Sequence, residues 1–230
     1  MRAIPIKRTN SGIEPIDRLL GGLQVGKPYL VHGDAVSASL CGTQFLVEGL
    51  KQGESVGLVT GQPMSAVVEA FARFGHPCLE EIYDGKLAVV RSGDDLSRKV
   101  SGLPGLASVL IELECVLGDR LPDRLVVEAI GDLIGEESEL ESRAHELASW
   151  AACLGSTSLL LAAENAAQAV SALRPLVAES FRFEVKRSGG MPTHFLILEK
   201  KTPSTAALIQ VSPNRGILMI SPDSKNAYGG

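Results

Sequence analysis

Residues 33–40 read Gly33-Asp34-Ala35-Val36-Ser37-Ala38-Ser39-Leu40. A phosphate-binding loop reads G-x-x-x-x-G-K-[ST]: its glycines let backbone N–H groups turn toward phosphate, its Lys neutralises phosphate charge, and its hydroxyl holds Mg²⁺. Set against that pattern, Gly33 keeps the first glycine. Ala38 stands at the second glycine, Ser39 at the Lys and Leu40 at the metal-binding hydroxyl. The stretch has the outline of such a loop without its phosphate chemistry.

The flanks carry the alignment. Upstream lie Ser11-Gly12-Ile13-Glu14-Pro15-Ile16-Asp17-Arg18-Leu19-Leu20-Gly21-Gly22-Leu23 and Gly26-Lys27-Pro28-Tyr29-Leu30-Val31-His32-Gly33. Downstream lie Gln44-Phe45-Leu46-Val47-Glu48-Gly49-Leu50 and Gly53-Glu54-Ser55-Val56-Gly57-Leu58-Val59-Thr60. This ordered series resembles the KaiC-like branch of the RecA superfamily, specifically over residues 9–75 and more weakly beyond. The resemblance implies an α/β, RecA-like P-loop fold: a mainly parallel central sheet flanked by helices, with an antiparallel carboxyl-terminal edge. A single domain is expected over residues 1–222, with 223–230 as a flexible tail.

The 230 residues fit one large α/β domain, and 45% hydrophobic content supplies a full core. Aromatics are only 4%, so that core is aliphatic. Net charge is −5 with no long basic run, which disfavours a general nucleic-acid surface and leaves a local basic patch open. Four scattered Cys without a C-x-x-C pair read as buried, reduced thiols. No stretch reaches the ~20 apolar residues of a membrane span, and a cytoplasmic location is expected.

Strand-like and helix-like segments alternate, the pattern of a parallel sheet covered on both faces. Strands are expected at 28–33, 56–60, 86–91, 124–130 and 157–163. Helices are expected at 38–52, 65–74, 106–117, 136–154 and 166–178, the last interrupted at Pro175. After that come short strands at 181–186, 194–200, 207–211 and 217–221, separated by turn sequences.

Three further positions bear on chemistry. In P-loop enzymes an apolar strand ends in an Asp that holds Mg²⁺; Glu128 stands there. It either serves a repositioned metal or caps the strand end, and the loop's lack of a Lys and hydroxyl favours the second. The family resemblance implies two Glu just after the second strand, one acting as general base. Gln62 and Pro63 stand there instead, and neither accepts a proton from water. The resemblance also implies a Lys-x-Arg that reaches a neighbouring subunit's nucleotide. The matching stretch is Lys200-Lys201-Thr202, where Thr202 replaces the Arg and the two Lys read either as interface residues or as a solvated strand end.

These residues imply a catalytically inactive KaiC/RecA-like protein, with no catalytic residue, no cofactor and no metal, that acts through a protein partner or self-association. Two alternatives stay open: an ATP-binding RecA-type protein of DNA recombination or repair with an atypical loop, and a small-molecule sensor reusing the nucleotide cleft. Residues 33–39 are expected to pack on their own side chains, with Val36 turned inward. Lys200 and Lys201, near an unpaired sheet edge, are expected to meet the acidic run 136–146 of a neighbour.

Overall fold

The computed structural model describes residues 6–91, 105–118, 120–128, 130, 140–162, 166–187, 192–200 and 205–220. The expected tail 223–230, Lys201, Thr202 and the acidic residues 136–139 lie outside the described residues.

A nine-stranded sheet organises the chain. In chain order its strands are β3 (Pro28–Gly33), β4 (Val56–Thr60), β5 (Leu87–Arg91), β6 (Arg124–Val127), β7 (Thr157–Leu161), β8 (Ser180–Lys186), β9 (Thr193–Leu198), β10 (Thr205–Ser212) and β11 (Gly216–Met219). A small antiparallel ribbon, β1 (Arg8–Thr9) with β2 (Leu23–Gln24), precedes it. The spatial order is β11-β10-β9-β8-β3-β7-β6-β4-β5. From β8 to β5 every pairing is parallel, and from β8 to β11 every pairing is antiparallel. Sequence places β8 with the antiparallel strands; the structure makes it the pivot, parallel to β3 and antiparallel to β9.

The parallel strands are apolar without a break because both faces are covered. Along β3, Tyr29 and Val31 enter one core cluster while Leu30 enters the other. The first cluster packs under α1 (Glu14–Leu20), α2 (Ala35–Lys51) and α3 (Met64–Arg73), through Ile16, Phe45 and Phe71. The second packs under the helices Gly105–Leu117, Leu140–Cys153 and Ala167–Leu173, through Leu113, Leu147 and Leu173. Pro175 converts the end of the last helix into a 3₁₀ turn, Arg174–Leu176, because its ring removes an N–H donor. A short helix α4 (Leu79–Tyr83) precedes β5.

The motif blocks that flank the loop pack on each other. Gly12 has φ 76°, and a Cβ there would lie 2.5 Å from Glu48 Cβ on α2. Gln44 Nε2 donates to the Gly12 carbonyl at 2.6 Å, and its Oε1 accepts from Ile217 N at 2.8 Å. Asp17 Oδ1 accepts from Ser11 N at 2.8 Å and closes the turn that leads into α1. One polar side chain on α2 thus joins the amino-terminal segment to β11.

At the amino-terminal edge of the sheet sits Arg124, 1% exposed and the largest of the fully buried side chains. Its guanidinium donates to the Glu54 carboxylate, to the Phe45 carbonyl at 3.1 Å, to Thr9 Oγ1 at 3.2 Å and to Gln52 Oε1 at 3.1 Å. It also lies 4.8 Å from the centre of the Phe45 ring. Removing one partner of a buried ion pair costs about 3–5 kcal/mol, because a charge is left uncompensated. Arg124→Ala is therefore expected to lower unfolding free energy by about that amount in urea denaturation. Arg73→Ala, which breaks only an exposed helical pair with Glu69, is expected to stay within about 0.5 kcal/mol of the parent.

Candidate functional site

The site lies at the carboxyl ends of β3, β4 and β6, where open α/β sheets bind ligands. Strand β3 ends at Gly33, whose φ of 100° belongs to the left-handed region. A Cβ there would stand 2.1 Å from the Phe183 carbonyl oxygen, and Asp34 N donates to that same oxygen at 3.0 Å. Gly33 is thus required by the close pairing of β3 with β8, independently of any ligand.

Helix α2 begins at Ala35, three residues earlier than its hydrophobic spacing suggests, because Asp34 caps it. The Asp34 carboxylate accepts from Ser37 N at 2.9 Å and Ser37 Oγ at 2.6 Å, and Ala38 N donates to the Asp34 carbonyl at 2.9 Å. A helix amino terminus attracts an anion through its free N–H groups and dipole. Here a carboxylate of the chain itself sits at that position. Three of the four residues that follow Gly33, the span a phosphate loop would wrap, belong to helix α2. Val36 does not turn inward as expected: it is 64% exposed. The early helical start points its side chain away from the sheet.

Glu128 follows β6 and is held by its backbone N–H to the Val59 carbonyl at 2.8 Å. Its Oε2 accepts from Thr60 Oγ1 at 2.6 Å, and it shares a hydrogen bond with the Ser39 side chain. Thr60 Oγ1 in turn accepts from Gln62 N at 3.0 Å. Burial pushes the Glu128 carboxyl above the ordinary carboxylate range, against the opposing pull of the Thr60 and Ser39 hydrogen bonds. Of the positions singled out from sequence, Ser39 meets Glu128 directly, and Thr60 joins Glu128 to the Gln62 backbone. The Gln62 side chain and Pro63 are exposed, and Pro63 leads into α3. Leu40 is half-buried. Among the described residues, no three His, Cys, Asp or Glu side chains converge to hold a metal.

Lys200 lies outside this site. Its backbone N–H donates to Glu179 Oε1 at 2.8 Å, and its ammonium donates to the Val177 carbonyl. The expected unpaired edge is corrected by β11: the Ile217 N–H is taken by Gln44 Oε1 at 2.8 Å, and the Met219 N–H by Glu14 Oε2 at 3.1 Å. Side chains thus occupy two of the N–H groups that strand addition would use.

Sequence reasoning missed a second polar cluster beside Gly33. Glu199 receives His32 Nε2 at 2.9 Å and Ser180 Oγ at 2.8 Å, with Arg174 at 3.1 Å and Arg182 at 3.2 Å. Burial pushes Glu199 up, but the His32 and Ser180 hydrogen bonds and the nearby positive charge outweigh it, leaving the carboxyl below its usual range. Burial lowers His32, and its bond to Glu199 only partly offsets this. No spacing in the sequence joins positions 32, 180 and 199; β8 brings them together by pairing with β3 on one side and β9 on the other.

Fold and site together define a RecA-like P-loop domain. The chain belongs to the KaiC family: the family model described as "ATPase: KaiC" matches residues 9–192. It is 28% identical over 165 residues to the circadian clock protein KaiC3 of Synechocystis sp., covering 68% of this chain and 33% of that protein. The chain thus spans about a third of that relative's length. A solved KaiC-like protein from the hyperthermophilic archaeon Pyrococcus horikoshii superposes with a TM-score of 0.76 at 18% identity, over 94% of this chain and all of that one. No helix among the described residues is long and apolar enough to cross a membrane.

Glu128 yields a prediction with a definite sign. Its carboxyl holds a proton more tightly in the folded chain than in the unfolded one, so it lowers stability as pH rises above the unfolded carboxylate value. Glu128→Gln keeps an acceptor for Thr60 and cannot ionise. Its thermal midpoint is expected to exceed the parent's at pH 8, with the difference shrinking toward pH 4. A glutamine variant less stable than the parent at pH 8 would show that the charged form is the one the fold stabilises.

Proposed function

We propose that this KaiC-family chain has lost ATP hydrolysis and acts as a regulatory or structural binding module through protein–protein contacts. One observation carries the reading: residues 33–40 offer no cationic side chain, and the anion at the amino end of α2 is the chain's own Asp34. The carboxyl edge thus presents two acidic groups, Asp34 and Glu128, to the place where triphosphate would lie. Glu128 is engaged by Thr60 and Ser39, the arrangement expected of a strand end tied to its neighbours.

Magnitudes support loss over attenuation. Removing one donor that stabilises developing charge costs about 10²–10³ in rate, and an arginine finger is worth about 10³–10⁵. Here the phosphate Lys, the general base and the Arg of the family's Lys-x-Arg are replaced by uncharged residues. Such losses are not additive, yet together they leave hydrolysis without its electrostatic support. Val36 and Met64, 64% and 38% exposed at this edge, are apolar in a region where nucleotide chemistry calls for polar groups. The relative's name places it in a circadian clock, in keeping with a regulatory role proposed here.

Purified chain incubated with ATP and Mg²⁺ is expected to release no phosphate above buffer. Hydrolysis by the parent that disappears in Ser39→Ala would place live chemistry in the loop and overturn the reading.

A further inference from the structure

The amino-terminal edge of the sheet, opposite the nucleotide position, carries a cleft that neither the family fold nor the proposed loss of hydrolysis accounts for. Two cavities of about 400 Å³ and about 750 Å³ adjoin there and share Leu121 and Asp123 as a common wall. The first opens between the β1–β2 ribbon and the starts of β6 and β7, above the buried Arg124 guanidinium. The second runs past the starts of β4 and β5 to the end of helix Gly105–Leu117.

Charge and shape set the occupant. Among the described residues, five cationic side chains line the two cavities, against the three carboxylates of Glu54, Asp84 and Asp123. The described lining is therefore net positive in a chain whose net charge is −5. Of the carboxylates, Glu54 is already paired with Arg124, and Asp123 accepts from Ser55 N at 2.9 Å and Ser55 Oγ at 3.0 Å. Lys7, Lys86 and Arg120 are exposed and form no ion pair among the described residues. Between them Leu121 and Val116 are 41% and 39% exposed, offering apolar contact in the middle of a cationic rim. A single small-molecule pocket measures roughly 300–1,000 Å³. Two such volumes end to end suit an extended chain better than a compact metabolite.

We propose that this cleft binds an extended segment of a partner protein carrying acidic residues around an apolar anchor. Lys7, Lys86 and Arg120 engage its carboxylates, and Leu121 with Val116 receive the anchor. Complementary charge of this kind sets partner choice and encounter rate. The inference gives the binding role proposed above a surface. It depends on that reading only for the existence of a protein partner, and it stands whether or not the chain turns over ATP.

The test is selection of a random peptide library against the full chain, followed by fluorescence anisotropy with the selected peptides. Enriched peptides are expected to carry Asp or Glu on both sides of an apolar residue. Their binding is expected to weaken at least tenfold in Lys86→Glu/Arg120→Glu and again in Lys7→Glu, all at exposed positions, with thermal midpoints unchanged. Raising salt from about 50 to about 300 mM is expected to weaken it several-fold, as screening shortens the reach of these charges. Binding should be unaffected in Ser39→Ala, which separates this cleft from the carboxyl edge. Selected peptides without acidic bias, or peptides that bind the charge-reversed variants equally, would overturn the proposal. A labelled dT10 oligonucleotide that displaces the peptides with the same variant dependence would overturn it in favour of nucleic acid.

Discussion

The buried guanidinium of Arg124 is the constraint on which the rest of the structure turns. It opens β6 yet reaches across the amino-terminal edge to Thr9 of the ribbon, to Phe45 on α2, and to Gln52 and Glu54 in the turn between α2 and β4. An ion this deep in an apolar sheet is tolerable only when its donors are matched. Four of its N–H groups have partners, and those partners come from three separate stretches of chain: the ribbon, α2 and the turn that follows α2. Gly49 makes room for it: a Cβ there would come within 2.7 Å of Arg124 Cδ. The requirement to satisfy one charge therefore fixes the position of α2 relative to β6, and with α2 the geometry of everything at its other end.

That other end is the carboxyl edge. Helix α2 starts there with its dipole complemented by Asp34, and β3 enters it through a Gly33 backbone packed against Phe183. Each device is intrinsic to the polypeptide. A phosphate-loop fold normally gains order at this edge from nucleotide and metal. In this chain the cap, the Thr60–Glu128–Ser39 contacts and the Gln44 bridge tie α2 to its surroundings with side chains.

Much of this was legible in the sequence, for identifiable reasons. Strands β3 and β4 are short unbroken apolar runs bounded by glycine or turn residues, and such runs mean a sheet buried on both faces. The flanking blocks 11–23 and 44–60 gave the family and thereby the layer order. What stayed hidden depended on long-range pairing. Arg124 reads as a polar residue opening a strand, since nothing local says that Thr9, Phe45 and Gln52 will converge on it. The β8 pivot was invisible because a parallel and an antiparallel neighbour leave similar side-chain patterns. Val36 was misplaced because helical spacing starts α2 at residue 38, whereas Asp34 and Ser37 form a cap that starts it at 35. The side-chain cover on β11 depended on Gln44 and Glu14, which lie about 170 and 200 positions away in the chain. The Glu199 cluster left no trace because its members meet only through β8.

The central claim is that residues 33–40 supply their own anion, Asp34, and no cationic side chain to hold another. Calorimetric titration of the chain with ATP, with and without Mg²⁺, addresses it most directly. The account predicts no saturable heat at millimolar nucleotide and no difference when Mg²⁺ is added. Stoichiometric, Mg²⁺-dependent binding, weakened by Glu128→Gln, would contradict it.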